Sequence, residues 1–195
     1  VGHAVAVEVE ARKALAKSEL DLVLNTPAAL LIARGEERLL LLEEVEAVAA
    51  AQGVAFRGLK KRTGSDESEF RGRSFENTDD NEDCERSDAD LIAGTAWLFA
   101  REGMERTLDY LFVDEAGQMS LADVLAVAGG ARSLVLLGDP QQLEQPQQAS
   151  HPPGTGASAL EHILGGAQTI TAERGLFLRQ TRRLHPEICA FTAEL

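Results

Sequence analysis

Two apolar runs that end in acids constrain this chain more than any other feature of it. Residues 108–120 read L-D-Y-L-F-V-D-E-A-G-Q-M-S, so that the run 110–113 delivers Asp114 and Glu115 side by side and then breaks into polar residues. The pattern returns at 133–143 as S-L-V-L-L-G-D-P-Q-Q-L, where 134–137 pass without a polar break into Gly138, Asp139 and Pro140. Continuous apolar runs, unlike alternating ones, predict strands buried on both faces. The segment between them, 121–128, is compatible with a helix. A β-α-β unit then brings both acid-bearing ends to the carboxyl edge of a sheet, where open α/β folds bind ligands.

Acids at that edge suit a nucleotide-phosphate site. Phosphoryl transfer asks a protein for positioning and charge neutralisation: one carboxylate holds the Mg²⁺ shell, a second orients or deprotonates the attacking water, and a polar side chain senses the γ-phosphate. Asp114 fits the first role, Glu115 the second, and Gln118 or Gln142 the third, with Asp139 as a further acid at the same edge. A lone D-E after a strand is more often a strand running into a solvated turn. The second acid-ended strand, with a Gln at a short offset from each acid, favours the functional reading.

D-E-A-G-Q at 114–118, G-D-P-Q-Q-L at 138–143 and T-R-R-L-H-P at 181–186 resemble motifs II, III and IV of superfamily 1 helicases of the RNA-surveillance (up-frameshift) type. G-T-A-W-L-F-A at 94–100 and S-H-P-P-G-T-G-A-S-A-L-E-H at 150–162 extend the likeness towards bacterial helicases with an attached RecB-like nuclease. The resemblance covers residues 90–195, and three motifs in order are far more specific than one. It implies that Thr95 lies near a nucleic-acid backbone, where a hydroxyl can bond phosphate. It also implies that Arg183 reaches the γ-phosphate as an arginine finger does. Arg182 stands where that family commonly has an aromatic able to stack on adenine.

The remaining residues set the frame. At 195 residues and 44% hydrophobic content the chain can bury a substantial core. No apolar run approaches the roughly 20 residues that span a bilayer, and the start, Val1-Gly2-His3, has neither Met nor a signal pattern, so an excised chain is expected. Cys84 and Cys189 lack C-x-x-C spacing, which points away from a disulfide framework or zinc site and towards a reducing cytoplasm. Residues 4–9 alternate weakly like a strand, and Ala-rich 11–24 reads as helix. Within 28–52, Leu41, Val45, Val48 and Gln52 follow i, i+4, i+7, i+11 spacing, and Gly53 sits where a helix stop belongs. Residues 54–59 then read as a short strand, 90–94 as a buried strand, and 96–101 as a helix with Thr95 as its N-cap and Trp97 in the core.

Two further segments need interpretation. H-P-P-G-T-G-A-S at 151–158 imitates a P-loop, but His151 replaces the first Gly and Ala157 replaces the Lys, so it reads as a Gly/Pro loop leading into a helix over 157–164, with His162 a packing or surface residue. No G-x-x-x-x-G-K-[ST] occurs anywhere in the chain. Residues 65–90 hold eleven acids against Arg71, Arg73 and Arg86, a net of −8 out of −13. High charge with few aromatics predicts a solvated, mobile, disordered loop over 63–90. Outside it the chain is only mildly acidic, which neither excludes nor supports a nucleic-acid partner.

The expected fold is therefore α/β: a partial RecA-like P-loop NTPase motor lobe over 1–172, a mostly parallel sheet flanked by helices, followed by the start of a second lobe over 173–195. The last of these, 187–195, reads as a helix with Ile188, Phe191 and Leu195 on one face. The expected function is that of a fragment of an ATP-dependent nucleic-acid helicase or translocase. Its cofactors would be ATP and Mg²⁺, its partner single-stranded DNA or RNA, with no membrane and with a nuclease domain as a neighbour in the same parent chain. Two other classes stay open: a non-catalytic interaction module with a degenerate NTPase fold, and a metal-dependent phosphohydrolase using Asp114, Glu115 and Asp139.

Overall fold

The computed structural model describes residues 5–7, 28–31, 37–62, 69–139, 157–167, 169–171 and 173–176. Among them, seven strands form one sheet: β1 (Val5–Val7), β2 (Ala28–Leu31), β3 (Gly58–Lys61), β4 (Phe75–Thr78), β5 (Leu91–Gly94), β6 (Leu108–Val113) and β7 (Ala131–Leu137). Their order is β1-β7-β6-β2-β5-β3-β4, and every neighbouring pair is parallel. Helix α1 (Glu37–Gln52) joins β2 to β3, and α2 (Asn81–Glu85) joins β4 to β5. Helix α3 (Ala96–Phe99) and a 3₁₀ turn (Glu102–Met104) join β5 to β6, α4 (Leu121–Ala128) joins β6 to β7, and α5 (Ala159–Leu164) follows.

The strand order explains why helices cover both faces. From β2 the chain steps outward through β3 to β4, then returns through β5 and β6 to β7. Parallel crossovers are right-handed, so outward and returning connections pass over opposite faces. Two separate cores result. One packs Leu41, Leu42 and Ala49 of α1 with Phe56, Phe70, Phe75 and Leu91; the other packs Leu98, Phe99, Val124, Val127 and Leu160 with Ile92, Leu111 and Leu136. Successive residues of β6 divide between them, Tyr110 and Phe112 to the first and Leu111 and Val113 to the second. Leu111 and Val113 are fully buried, each worth about 1.5–3 kcal/mol by leaving water. The continuous apolar runs thus belong to strands covered on both sides.

Helix α1 stops at the expected place. Gly53 takes φ +69°, its N–H donates to the Ala50 carbonyl at 3.1 Å, and the Val54 N–H donates to the Ala49 carbonyl at 2.9 Å. This is a Schellman closure, which a residue with Cβ fits poorly. Helix α4 spans the expected residues, whereas β3 lies later than 54–59, and β6 and β7 begin earlier than expected because their parallel partners continue the ladder into polar residues. Strand β2 was not foreseen; A-A-L-L is too short to carry a period. The expected helix over 11–24 lies outside the described residues.

Two expectations are corrected. Residues 69–90 of the acidic segment do not form a disordered loop, for they contain β4 and α2. The few apolar residues there are well placed: Phe75 meets Phe56 and Phe70 edge-to-face at 5.4 and 5.5 Å, an arrangement that adds about 0.5–1.5 kcal/mol per pair. The Asn77 side chain brackets Phe70, accepting from its N–H at 2.9 Å and donating to its carbonyl at 2.6 Å. Local partners offset part of the charge. Arg62 pairs with Asp79, Arg57 with Asp88, Arg86 with Glu82 and Arg101 with Glu85, and the Arg62 guanidinium holds the Asp79 carboxyl below the usual carboxylate range. The second correction is Trp97, which is 78% exposed. Helix α3 has a single turn, and its sheet-facing positions are taken by Leu98 and Phe99.

Cys84, expected in a polar run, is instead 1% exposed in the second core. Burial pushes its thiol up to about 11, so at pH 8 only about one thiol in a thousand is thiolate, the reactive form. Iodoacetamide at pH 8 is therefore expected to spare Cys84 in the native chain and to modify it in urea, as read by peptide mass spectrometry. Rapid native labelling would mean that α2 opens readily.

Candidate nucleotide-phosphate site

Because the sheet is wholly parallel, the carboxyl ends of all described strands lie along one edge. Register places Val113 beside Leu136 and Val7 beside Leu137, so the turns that follow β6 and β7 emerge together, with the end of β1 next to them. Asp114 leaves β6 at 5% exposure. Glu115 then adopts φ +56°, a left-handed conformation that costs a residue with Cβ about 1–2 kcal/mol. Strain of this kind collects at functional sites, where the surroundings over-determine it.

Those surroundings are visible in the backbone. The Ala116 N–H donates to the Leu137 carbonyl at 2.8 Å, and the Gln118 N–H donates to the Glu115 carbonyl at 2.9 Å. A Cβ on Gly117 would run into the Asp139 carbonyl oxygen. Gly138, at φ +156°, lies so close that its Cβ would sit 2.9 Å from the Gly117 nitrogen and 3.0 Å from that of Ala116. The D-E-A-G turn and the L-G-D turn are thus pressed together main chain to main chain. Both glycines are required by that approach.

Residues 157–159 pair with the chain that follows the D-E-A-G turn. Ser120 and Ser158 form an antiparallel bridge, with the Leu121 N–H donating to the Ala157 carbonyl and the Ala159 N–H to the Met119 carbonyl, each at 3.2 Å. The two serines also cap helices: Ser120 Oγ accepts from the Asp123 N–H and Ser158 Oγ from the Glu161 N–H, both at 3.1 Å. Helix α5 starts at Ala159, behind its Ser158 cap, and His162 on it is exposed.

The edge therefore brings together Asp114, Glu115, Gln118 and Asp139. Thr95 lies further along it at the N-cap of α3, and its side chain makes no capping hydrogen bond. Gln142 and Arg183, with the neighbouring Arg182, lie outside the described residues. Residues 173–176 stay attached to α5, where the Arg174 Nη1 donates to the Ile163 carbonyl at 3.0 Å. Sequence reasoning missed Lys60, Lys61 and Arg62, which occupy the carboxyl end of β3. Their signal was the K-K-R that closes the short run after Gly53.

The donor set suits Mg²⁺ with nucleotide. Among the described residues, no group of three or more His, Cys, Asp and Glu could cage a metal. Mg²⁺ on a nucleotide needs no such cage, since one or two carboxylates plus phosphates and waters suffice. Asp114 and Asp139 are the carboxylates that could supply them. Among the described residues no helix is long and apolar enough to cross a membrane. Compared with known proteins, the chain matches no protein-family model and no curated protein.

Proposed function

We propose that this chain is a RecA-like motor lobe of an ATP-dependent nucleic-acid helicase or translocase, with the nucleotide phosphates seated at the carboxyl edge against Asp114, Glu115 and Asp139. The observation that carries the reading is the direct backbone apposition of the two acid-ended turns, with Glu115 held left-handed between Asp114 and Ala116. A surface turn that merely ended a strand would have no reason to be built from two glycines in contact. Asp114 would hold Mg²⁺, which when bound neutralises charge on the phosphate oxygens. Glu115 would position the attacking water and take its proton, and Gln118 would hydrogen-bond a phosphate oxygen. Asp139 would be the second carboxylate at the same edge.

Strand β1 ends at Val7 beside Leu137, next to the acids, yet the residues that follow are E-V-E-A-R-K and not a Gly-rich cradle with its lysine. The 195-residue chain alone is therefore expected to bind Mg-ATP weakly and to hydrolyse none above background. Titration calorimetry with and without Mg²⁺, beside a phosphate-release assay, tests this. Weak Mg²⁺-dependent binding that is lost in Asp114→Asn supports the reading. Binding indifferent to both Mg²⁺ and Asp114→Asn overturns it, and robust turnover would show that the chain supplies a phosphate cradle of another form.

A further inference from the structure

Helix α5 meets both acid-ended turns at one end and the chain at 171–175 at the other. We propose that it is a conformational link: closure of its first turn onto the turn after β6 is coupled to nucleotide binding at the carboxyl edge, and Arg174 grips its far end. The link rests on the nucleotide reading proposed above and adds to that site a regulatory element outside the acid-ended turns.

At the near end, the 114–121 turn has two supports. On the β7 side it is fixed by the hydrogen bond from Ala116 to Leu137. On the other side it is held by residues 157–159, through the bridge between Ser120 and Ser158 and the bonds from Leu121 to Ala157 and from Ala159 to Met119. The Ala159 N–H is one of the donors that a helix start leaves without an intrahelical partner, and the Met119 carbonyl satisfies it. The next residue reaches the second turn, since a Cβ on Gly138 would lie 3.3 Å from the Leu160 Cδ1.

At the far end, the Ile163 carbonyl accepts from the Arg174 Nη1 at 3.0 Å, a cation where the helix dipole favours one. Arg174 is set by its own segment: its N–H donates to the Thr171 carbonyl at 2.9 Å, and that of Gly175 to the same oxygen at 3.1 Å. A rod of six residues, about 9 Å long, thus runs from that segment to the turn that carries Glu115 and Gln118. The rod is lightly held. Its buried residues are Ala159 and Leu160, and Glu161 and His162 are exposed. An element with so little buried apolar surface opens locally at low cost, whereas β7 is locked between β1 and β6. Of the two supports, the contact with α5 therefore opens first, and a ligand that binds only the closed turn holds it shut.

Hydrogen exchange of the Leu121 and Ala159 amides, followed by NMR with and without Mg-ATP, reads that contact directly. Mg-ATP at about ten times its measured Kd should slow both about tenfold. Ala159→Pro removes the N–H donor without disfavouring the helix: proline suits the first helical position, and Ser158, at φ −66° and ψ 159°, already has the extended backbone that precedes one. This variant should weaken Mg-ATP binding by about 5-fold or more, and Arg174→Ala by about 2- to 5-fold. His162→Ala, on the exposed side of the same helix, should change neither affinity nor exchange. Circular dichroism and Tm accompany each variant, and if Ala159→Pro does not fold, wild-type exchange and Arg174→Ala decide. Asp114-dependent Mg-ATP binding that leaves both amides exchanging as in the free chain overturns the link while the nucleotide reading stands. A fall in Tm for Ala159→Pro with wild-type affinity does the same, for α5 is then only part of the core. Wild-type affinity in Arg174→Ala overturns the grip at the far end. Absence of Asp114-dependent Mg-ATP binding overturns both the link and the nucleotide reading.

Discussion

In the proposed motor, replacing Glu115 by Gln is expected to lower ATP hydrolysis about 10²-fold or more while Mg-ATP still binds. The amide keeps the size of the carboxylate and its capacity to accept a hydrogen bond, but it cannot take a proton from water. Asp114→Asn should fail differently, by weakening Mg-ATP binding itself, because a hard cation loses the anionic oxygen at the end of β6. The two residues are neighbours in sequence yet are posed differently. Asp114 continues the strand direction at 5% exposure, whereas the left-handed turn at Glu115 redirects the next side chain. Single-turnover hydrolysis and equilibrium binding on both variants separate the roles. Equal loss of binding in the two would show that the carboxylates act as one ligand set, and the division of labour would be wrong.

How much of this was readable beforehand depended on whether a feature was local. Strands β6 and β7 and helix α4 could be read because each follows from a short hydrophobic pattern with capping or turn residues at its ends: Ser120 three residues before Asp123, and the glycine after Leu137. The acids at one edge then followed from parallel topology alone. The acidic segment was misread because composition averages charge over a stretch and is blind to where Phe70 and Phe75 fall; three aromatic rings in contact with Asn77 and Glu46 side-chain bonds order what the average calls solvated. Trp97 was misread because aromatic residues usually bury, and only the single-turn length of α3 shows that two other residues take its sheet-facing positions. Lys61 and Arg62 were missed because the strand boundary was drawn two residues early. The left-handed Glu115 and the touching glycine turns were unreadable in principle from one turn at a time, since each depends on a partner more than twenty residues away.

That long-range apposition predicts an asymmetry between two glycines that look alike in sequence. Gly117→Ala places a methyl group against the Asp139 carbonyl oxygen, which is backbone and is fixed by the β7 ladder and the Ala116-to-Leu137 hydrogen bond. No rotamer change can relieve the overlap, so the two turns must separate. The expected cost is about 2–3 kcal/mol, at the upper part of the range for overpacking, or a fall in Tm on the order of 5–10 °C. Weakened Mg-ATP binding should accompany it as Asp139 moves. Gly129→Ala should do the reverse. Gly129 closes α4 at φ −64° and ψ −21°, ordinary helical values for alanine, and nothing lies within 4 Å of its would-be Cβ. With no native strain to oppose it, the reduced freedom of the unfolded chain should raise stability by about 0.4–1 kcal/mol. Urea melts of the two variants, with m unchanged, give the comparison directly. If Gly117→Ala were as stable as Gly129→Ala, the turns after β6 and β7 would not be in contact, and the site built on that contact would have to be abandoned.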